Sequence, residues 1–140
     1  MAEIRVALTP RQKGPIYLAK ANEFAATAEE ALAAGRLDGA LLCAVHAAIS
    51  ATDAVCVALD GRRSVEADHQ RAADLLEDIG RRSDDIKERV RQLRALLRMK
   101  NLVEYEARPV TPKEADDGVK RCRRLLEWAQ AELVRAKLMA

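Results

Sequence analysis

Between residues 40 and 59 the chain carries no Lys, Arg or Glu. The segment 38–59 sets Leu41, Leu42, Ala44, Val45, Ala48, Ile49, Val55, Val57 and Leu59 around most of a helical surface. A helix that is apolar nearly all round has to be covered on several sides. The stretch therefore predicts a central helix, with Asp38 as its cap and Gly61 just past its end. Everything else in the chain must supply the cover. With 27 alanines in 140 residues and aromatics at 3%, strand formers are scarce and helix formers abundant, which argues against an all-β fold. An apolar fraction of 49% opposes disorder, and the length is that of one domain, residues 1–140.

Four further segments read as helices. Residues 1–8 read as a flexible end. Thr9-Pro10-Arg11-Gln12 has the composition of a helix start, and Gly14-Pro15 interrupts or restarts it. From Pro15 to about Ala34, Leu18, Ala21, Ala25, Ala28 and Leu32 form an apolar stripe that Gly35 terminates. Residues 61–66 read as a loop and 67–79 as a short helix ending at Gly80, with Ala72, Leu75, Leu76 and Ile79 inward. Ser83-Asp84-Asp85 opens a fourth helix that runs to about Tyr105, with Ile86, Val90, Leu93 and Leu97 as its buried stripe. Ala107-Arg108-Pro109-Val110 breaks it. Thr111-Pro112-Lys113-Glu114 is a capping box with Pro at the first helical position. The helix it opens runs to about Lys137 along a seam of Val119, Cys122, Leu126, Ala129 and Leu133. The sum is an all-α, antiparallel, up-and-down bundle of four or five helices with short connections.

Charge and cysteine usage narrow the function. Net charge is +2, close to balanced, which weakens the reading of a protein that coats nucleic acid by charge alone. Cys43, Cys56 and Cys122 are odd in number and form no CxxC pair, which fits a reducing cytoplasm better than a disulfide framework. The start of the chain lacks the apolar run of a leader peptide, and no stretch of 18 uncharged apolar residues predicts a membrane span.

Two polar stripes could carry function. His46, Ser50 and Asp53 fall on one face of the otherwise apolar central helix, where burial is costly unless partners come from elsewhere. They read either as an internal hydrogen-bond network or as part of a site. On the fourth helix Arg91, Arg94, Arg98, Asn101 and Tyr105 lie within about 80° of arc. Guanidiniums beside an amide and a phenol suit a phosphate and a base or ribose, although a solvated basic face has the same composition. Residues 81–108 hold nine Lys/Arg and five Asp/Glu, a local balance of +4. If the two helices pack side by side, the stripes face one another in a joint pocket, with Asp53 orienting an arginine. His69 opens the third helix, and Trp128 reads as a core or interface filler. The sequence has no HExxH, no P-loop and no GxGxxG. Two histidines and three dispersed cysteines make no metal site, so neither metal nor cofactor is expected.

Two longer stretches resemble a known family. The first is LLCAVHAAISATDAVCVALDG followed by DHQRAADLL; the second is LRALLRMKNLVEYEARPVTPKEADDGVKRCRRLLEWA. Together they are similar to the HEPN domain (higher eukaryotes and prokaryotes nucleotide-binding) over about residues 15–135. The resemblance implies a helical bundle that dimerises. Many such proteins are ribonucleases of toxin–antitoxin systems, with an R-x4-6-H motif meeting across the dimer. Arg98 matches that Arg and Tyr105 the Tyr of R-x4-H-x-Y, but Val103 stands where the His belongs, and no His follows His69. The resemblance thus implies the branch that lacks the catalytic His. The expectation is a cytoplasmic homodimer that binds a nucleotide or RNA phosphate, beside a cognate partner protein, with no catalytic residue. Its ligand-binding residues would be Arg94, Arg98, Asn101, Tyr105, His46, Ser50 and Asp53. A divergent ribonuclease toxin using Arg98, Tyr105 and His46, and a purely structural interaction module, remain as alternatives.

Overall fold

The computed structural model describes residues 3–140. It contains five α-helices: α1 (Gly14–Ala33), α2 (Leu37–Asp60), α3 (Gln70–Ile79), α4 (Asp84–Glu106) and α5 (Pro112–Arg135). The all-α bundle is as expected, and α2 is its axis. α1 and α5 cover α2 along its length, while α3 and α4 close the remaining side. The α1–α2 interface is built of small residues. Ala21, Ala25 and Ala28 on α1 and Ala40, Ala44, Ala47 and Ala51 on α2 are all essentially inaccessible. Alanine on both sides lets two helix axes approach to the short end of the usual 8–10 Å range. Larger residues fill the opposite side, where Leu75, Leu76, Leu93, Leu96, Leu125 and Leu133 are fully buried.

Local sequence chemistry sets the helix ends. Gly35 and Gly61 take positive φ, 76° and 66°, and terminate α1 and α2. Ser83 caps α4 by accepting from the Ile86 N–H, and Thr111 and Glu114 form the expected capping box on α5. Trp128 is buried, and its indole Nε1–H donates to Asp85 at 3.0 Å, which ties α5 to the first turn of α4.

Several expectations need correction. Residues 1–8, read as a flexible end, include strand β1 (Val6–Leu8); the first two residues lie outside the described residues. The supposed loop 61–66 includes strand β2 (Arg62–Ser64). The two pair antiparallel, with Val6 opposite Ser64 and Leu8 opposite Arg62. The Thr9 start makes only a 3-10 turn over Arg11–Lys13, and Gly14-Pro15 is the first turn of α1. α3 begins at Gln70, three residues later than expected; His69 precedes it without a side-chain cap, and the Asp68 carboxylate accepts from the Gln70 N–H at 2.9 Å. Asp38 sits inside the first turn of α2, where its carboxylate accepts from the Val110 N–H, 72 residues away.

α2 is by length and composition apolar enough to cross a membrane, but its buried residues are packed inside the bundle. Leu42 is the large apolar side chain that α2 leaves exposed; Ile49 and Leu59 are half-buried. The apolar surface of this helix is therefore largely covered within the chain itself.

The turn between α3 and α4 is tight. A Cβ on Gly80 would stand 2.6 Å from Ile86 Cβ and 2.2 Å from its Cγ2. Both atoms belong to the stiff branch point of the side chain, so they cannot swing aside. Gly80→Ala is expected to cost about 1–3 kcal/mol, read as a lower urea midpoint with an unchanged slope.

Candidate functional site

The start of α3 separates the two stripes. On one side lies a cavity of about 370 Å³ lined by Ile49 and Asp53 of α2, Arg63 to Glu66 of the ribbon, and His69 and Ala72 of α3. On the other lies a cavity of about 280 Å³ lined by Ala67 to Gln70 and, from α4, Leu97, Lys100 and Asn101. His69 is the wall that both share. Asn101 also borders an open trough on the outer face of α4, with Ala95, Arg98, Met99, Leu102 and Tyr105. The expected single pocket is thus not formed. The stripes flank the start of α3: Asp53 of the first lines a cavity there, while Arg98, Asn101 and Tyr105 of the second lie on the exposed face of α4. Periodicity gave each face correctly, but it carries no information about the short helix that comes between them.

The α2 stripe is half-buried. His46 stacks on Phe24 with ring centroids 5.5 Å apart and meets His69 edge-on at 6.1 Å. Ser50 lies between His46 and Asp53 on the helix but lines neither cavity. Asp53 has no hydrogen bond or ion pair among the described residues. Burial pushes its carboxyl up to about 7, and the charges of Arg63 and Lys20 pull it down by less. Desolvation lowers the pKa of His69, reinforced by His46 and Lys100 and opposed by Asp68. Burial raises the Cys56 thiol well above its ordinary range and lifts Cys122 to about 12, so neither is a nucleophile.

The α4 face is less basic than its composition suggests. Arg94 turns inward to Asp74 of α3 at 2.7 Å, with Gln70 at 3.2 Å and Glu77 at 3.6 Å. Arg91 pairs with Glu88, and Lys100 with Glu104 at 3.0 Å. Beyond the helix, Arg108 grips Glu114 through both terminal nitrogens at 2.8 Å, which holds that carboxylate down near 2. Arg98 has no such partner among the described residues. It is exposed beside exposed Asn101 and Tyr105, the latter 89% accessible. Val103, at the position of the imidazole in R-x4-H, is buried and faces Asp38, Leu41, Leu42 and Val110.

Sequence reasoning left His69 without a role and passed over Arg63 and Glu66. The alternation in Arg62-Arg63-Ser64 is too short to read as a strand, so nothing local signalled that Arg63 would line a cavity with Asp53. No cluster of three or more His, Cys, Asp or Glu suited to a metal occurs among the described residues.

Comparison with protein-family models matches the HEPN domain over residues 15–133. Comparisons with curated proteins and with solved structures found no match. The matched span starts at the second residue of α1 and ends near the last turn of α5, so it takes in all five helices. It contains α2 and the Arg98-to-Tyr105 segment, and the chain belongs to the HEPN domain family.

Proposed function

We propose that this HEPN-domain chain is a non-catalytic homodimer that binds a nucleotide or RNA phosphate on the outer face of α4. The observation that carries the reading is Arg98. Its neighbours Arg91, Arg94 and Lys100 on α4 are each neutralised by a carboxylate, while Arg98 stands free beside Asn101 and Tyr105. A guanidinium without an acidic partner keeps its donors for an incoming anion, and a neighbouring phenol offers a base or ribose a flat surface. Arg94 is reassigned in this reading: it fixes α3 to α4 and leaves phosphate contact to Arg98.

The same face supports self-association. Leu102 is 51% exposed next to Met99 and Tyr105, and this apolar trough, unlike α2, is uncovered in the single chain. Buried Val103 supports the non-catalytic reading, because it gives an RNA 2′-OH no proton acceptor where the R-x4-H pattern would put one. Three free cysteines, two of them buried, support a reducing cytoplasmic setting.

The test is fluorescence anisotropy with a labelled 12-nucleotide RNA and with a labelled nucleoside triphosphate. A charge-assisted contact contributes about 1.5–3 kcal/mol, so Arg98→Ala is expected to weaken binding about tenfold or more. Arg123→Ala, on the α1–α5 side, is expected to change it little. Affinity should fall as salt rises. No binding by the wild type, or equal binding by Arg98→Ala, removes the reading. Cleavage of the RNA by pure protein, lost in Arg98→Ala, points instead to the ribonuclease alternative.

A further inference from the structure

The cavity between α2, the ribbon and the start of α3 holds an acid and a base that do not meet. Asp53 and Arg63 both line it. Neither makes a hydrogen bond or ion pair among the described residues, although each lies within electrostatic reach of the other. Arg63 instead rests on the Tyr17 ring, with its guanidinium carbon 5.4 Å from the centroid, and its Nε is buried without an acceptor. An unpartnered carboxylate and an unpartnered guanidinium, half-buried around one space, are both costly unless something bridges them.

The other lining groups restrict what the bridge can be. Glu66 is already engaged by the Arg5 N–H at 3.2 Å and the Arg5 Nε at 3.1 Å, with Arg71 nearby. It therefore adds no free charge. The Ser64 hydroxyl oxygen accepts from the Glu66 N–H at 3.3 Å, which leaves its own proton to donate next to Arg63. Ile49, Val65 and Ala72 supply an apolar floor. The polar lining is thus Asp53, ionised above about pH 7, at one end and the Arg63 guanidinium reinforced by a hydroxyl at the other, with the His69 imidazole on the same wall.

We propose that this cavity is a binding site for a small zwitterion of the amino-acid class, its ammonium on Asp53 and its carboxylate on Arg63 and Ser64. A space of about 370 Å³ accepts such a molecule with a short side chain lying on Ile49 and Val65. A net cation would meet Arg63 and Lys20, and a net anion would meet Asp53; the zwitterion alone satisfies both ends. The site is separate from the outer face of α4 and does not depend on Arg98.

The experiment is a titration of the full chain, followed by amide NMR shifts, with L-alanine, methylammonium chloride, sodium acetate and acetamide in parallel. L-Alanine is expected to shift residues of β2 and of the start of α3 saturably. Asp53→Asn and Arg63→Gln should each weaken that response about tenfold or more, since each removes a charge-assisted contact. Arg123→Gln should leave it unchanged. Asp53→Asn removes an unpaired charge and is expected to stay folded, so a loss of response there is not a loss of structure. The proposal is overturned if L-alanine gives no saturable shift, or if methylammonium, acetate or acetamide alone binds as well as L-alanine. An L-alanine response that survives both Asp53→Asn and Arg63→Gln overturns it equally.

Discussion

Asp53→Asn is expected to stabilise the protein at pH 8 by up to about 4 kcal/mol, and to do nothing at pH 4. The carboxyl is pushed from 3.8 to about 7 by burial. A group whose pKa is raised on folding holds its proton more tightly in the folded state. Its contribution is therefore fully present below 3.8 and is lost as pH rises through about 7. A shift of three pH units corresponds to about 4 kcal/mol. Arg63 on β2 and Lys20 on α1 act against that shift, Glu66 and His69 line the same cavity, and Cys56 lies one turn along α2. His69 works in the opposite sense: its pKa is depressed, so it costs stability as pH falls through its unperturbed value of 6.5. The quantity to measure is therefore the difference between wild type and variant in urea unfolding across pH 4 to 8. That difference should open between pH 4 and 7 and then level off. A constant difference would mean that the carboxylate is solvated in the folded state.

Leu96→Ala should produce a loss of similar size at every pH. Leu96 is fully buried, and its Cδ1 would lie 3.5 Å from a Cβ on Gly118. Gly118 also lies so close to Leu41 that a Cβ there would come within 2.7 Å of it. α2, α4 and α5 thus meet around one glycine, and Leu96 fills the space that its missing side chain leaves. Truncation opens a cavity which three packed helices cannot easily close, costing about 2–5 kcal/mol. For a domain of this size the melting temperature should fall by roughly 10 °C. A change below 1 kcal/mol would show that the crossing can collapse onto the gap.

The contrast between these two sites explains what the sequence made legible. Helix ends rest on residues three or four apart, as in Thr111 with Glu114 or Ser83 with Ile86, so they are readable. The inward stripes of α4 and α5 follow from periodicity and are buried as expected. Contacts between distant segments leave no such trace. Asp38 was expected to cap α2 but sits inside its first turn, and its acceptor role toward Val110 depends on where α2 and the α4–α5 turn meet. Arg94 and Arg98 are equivalent in the sequence, one turn apart on one face. Only the position of Asp74 on α3 makes the first a structural tie and leaves the second free. The cavity was hidden for the same reason, since Arg63 reaches its lining from a three-residue strand that exists only through pairing with β1.

That pairing gives the amino-terminal segment leverage over the interior. Ala7 lies directly opposite Arg63, and the Arg5 carbonyl accepts from the Val65 N–H at 3.1 Å. A tag fused ahead of Ile4, or a partner that peels this segment away, would pull on the cavity wall itself. Fusing affinity handles after Ala140, away from β1, leaves that wall undisturbed.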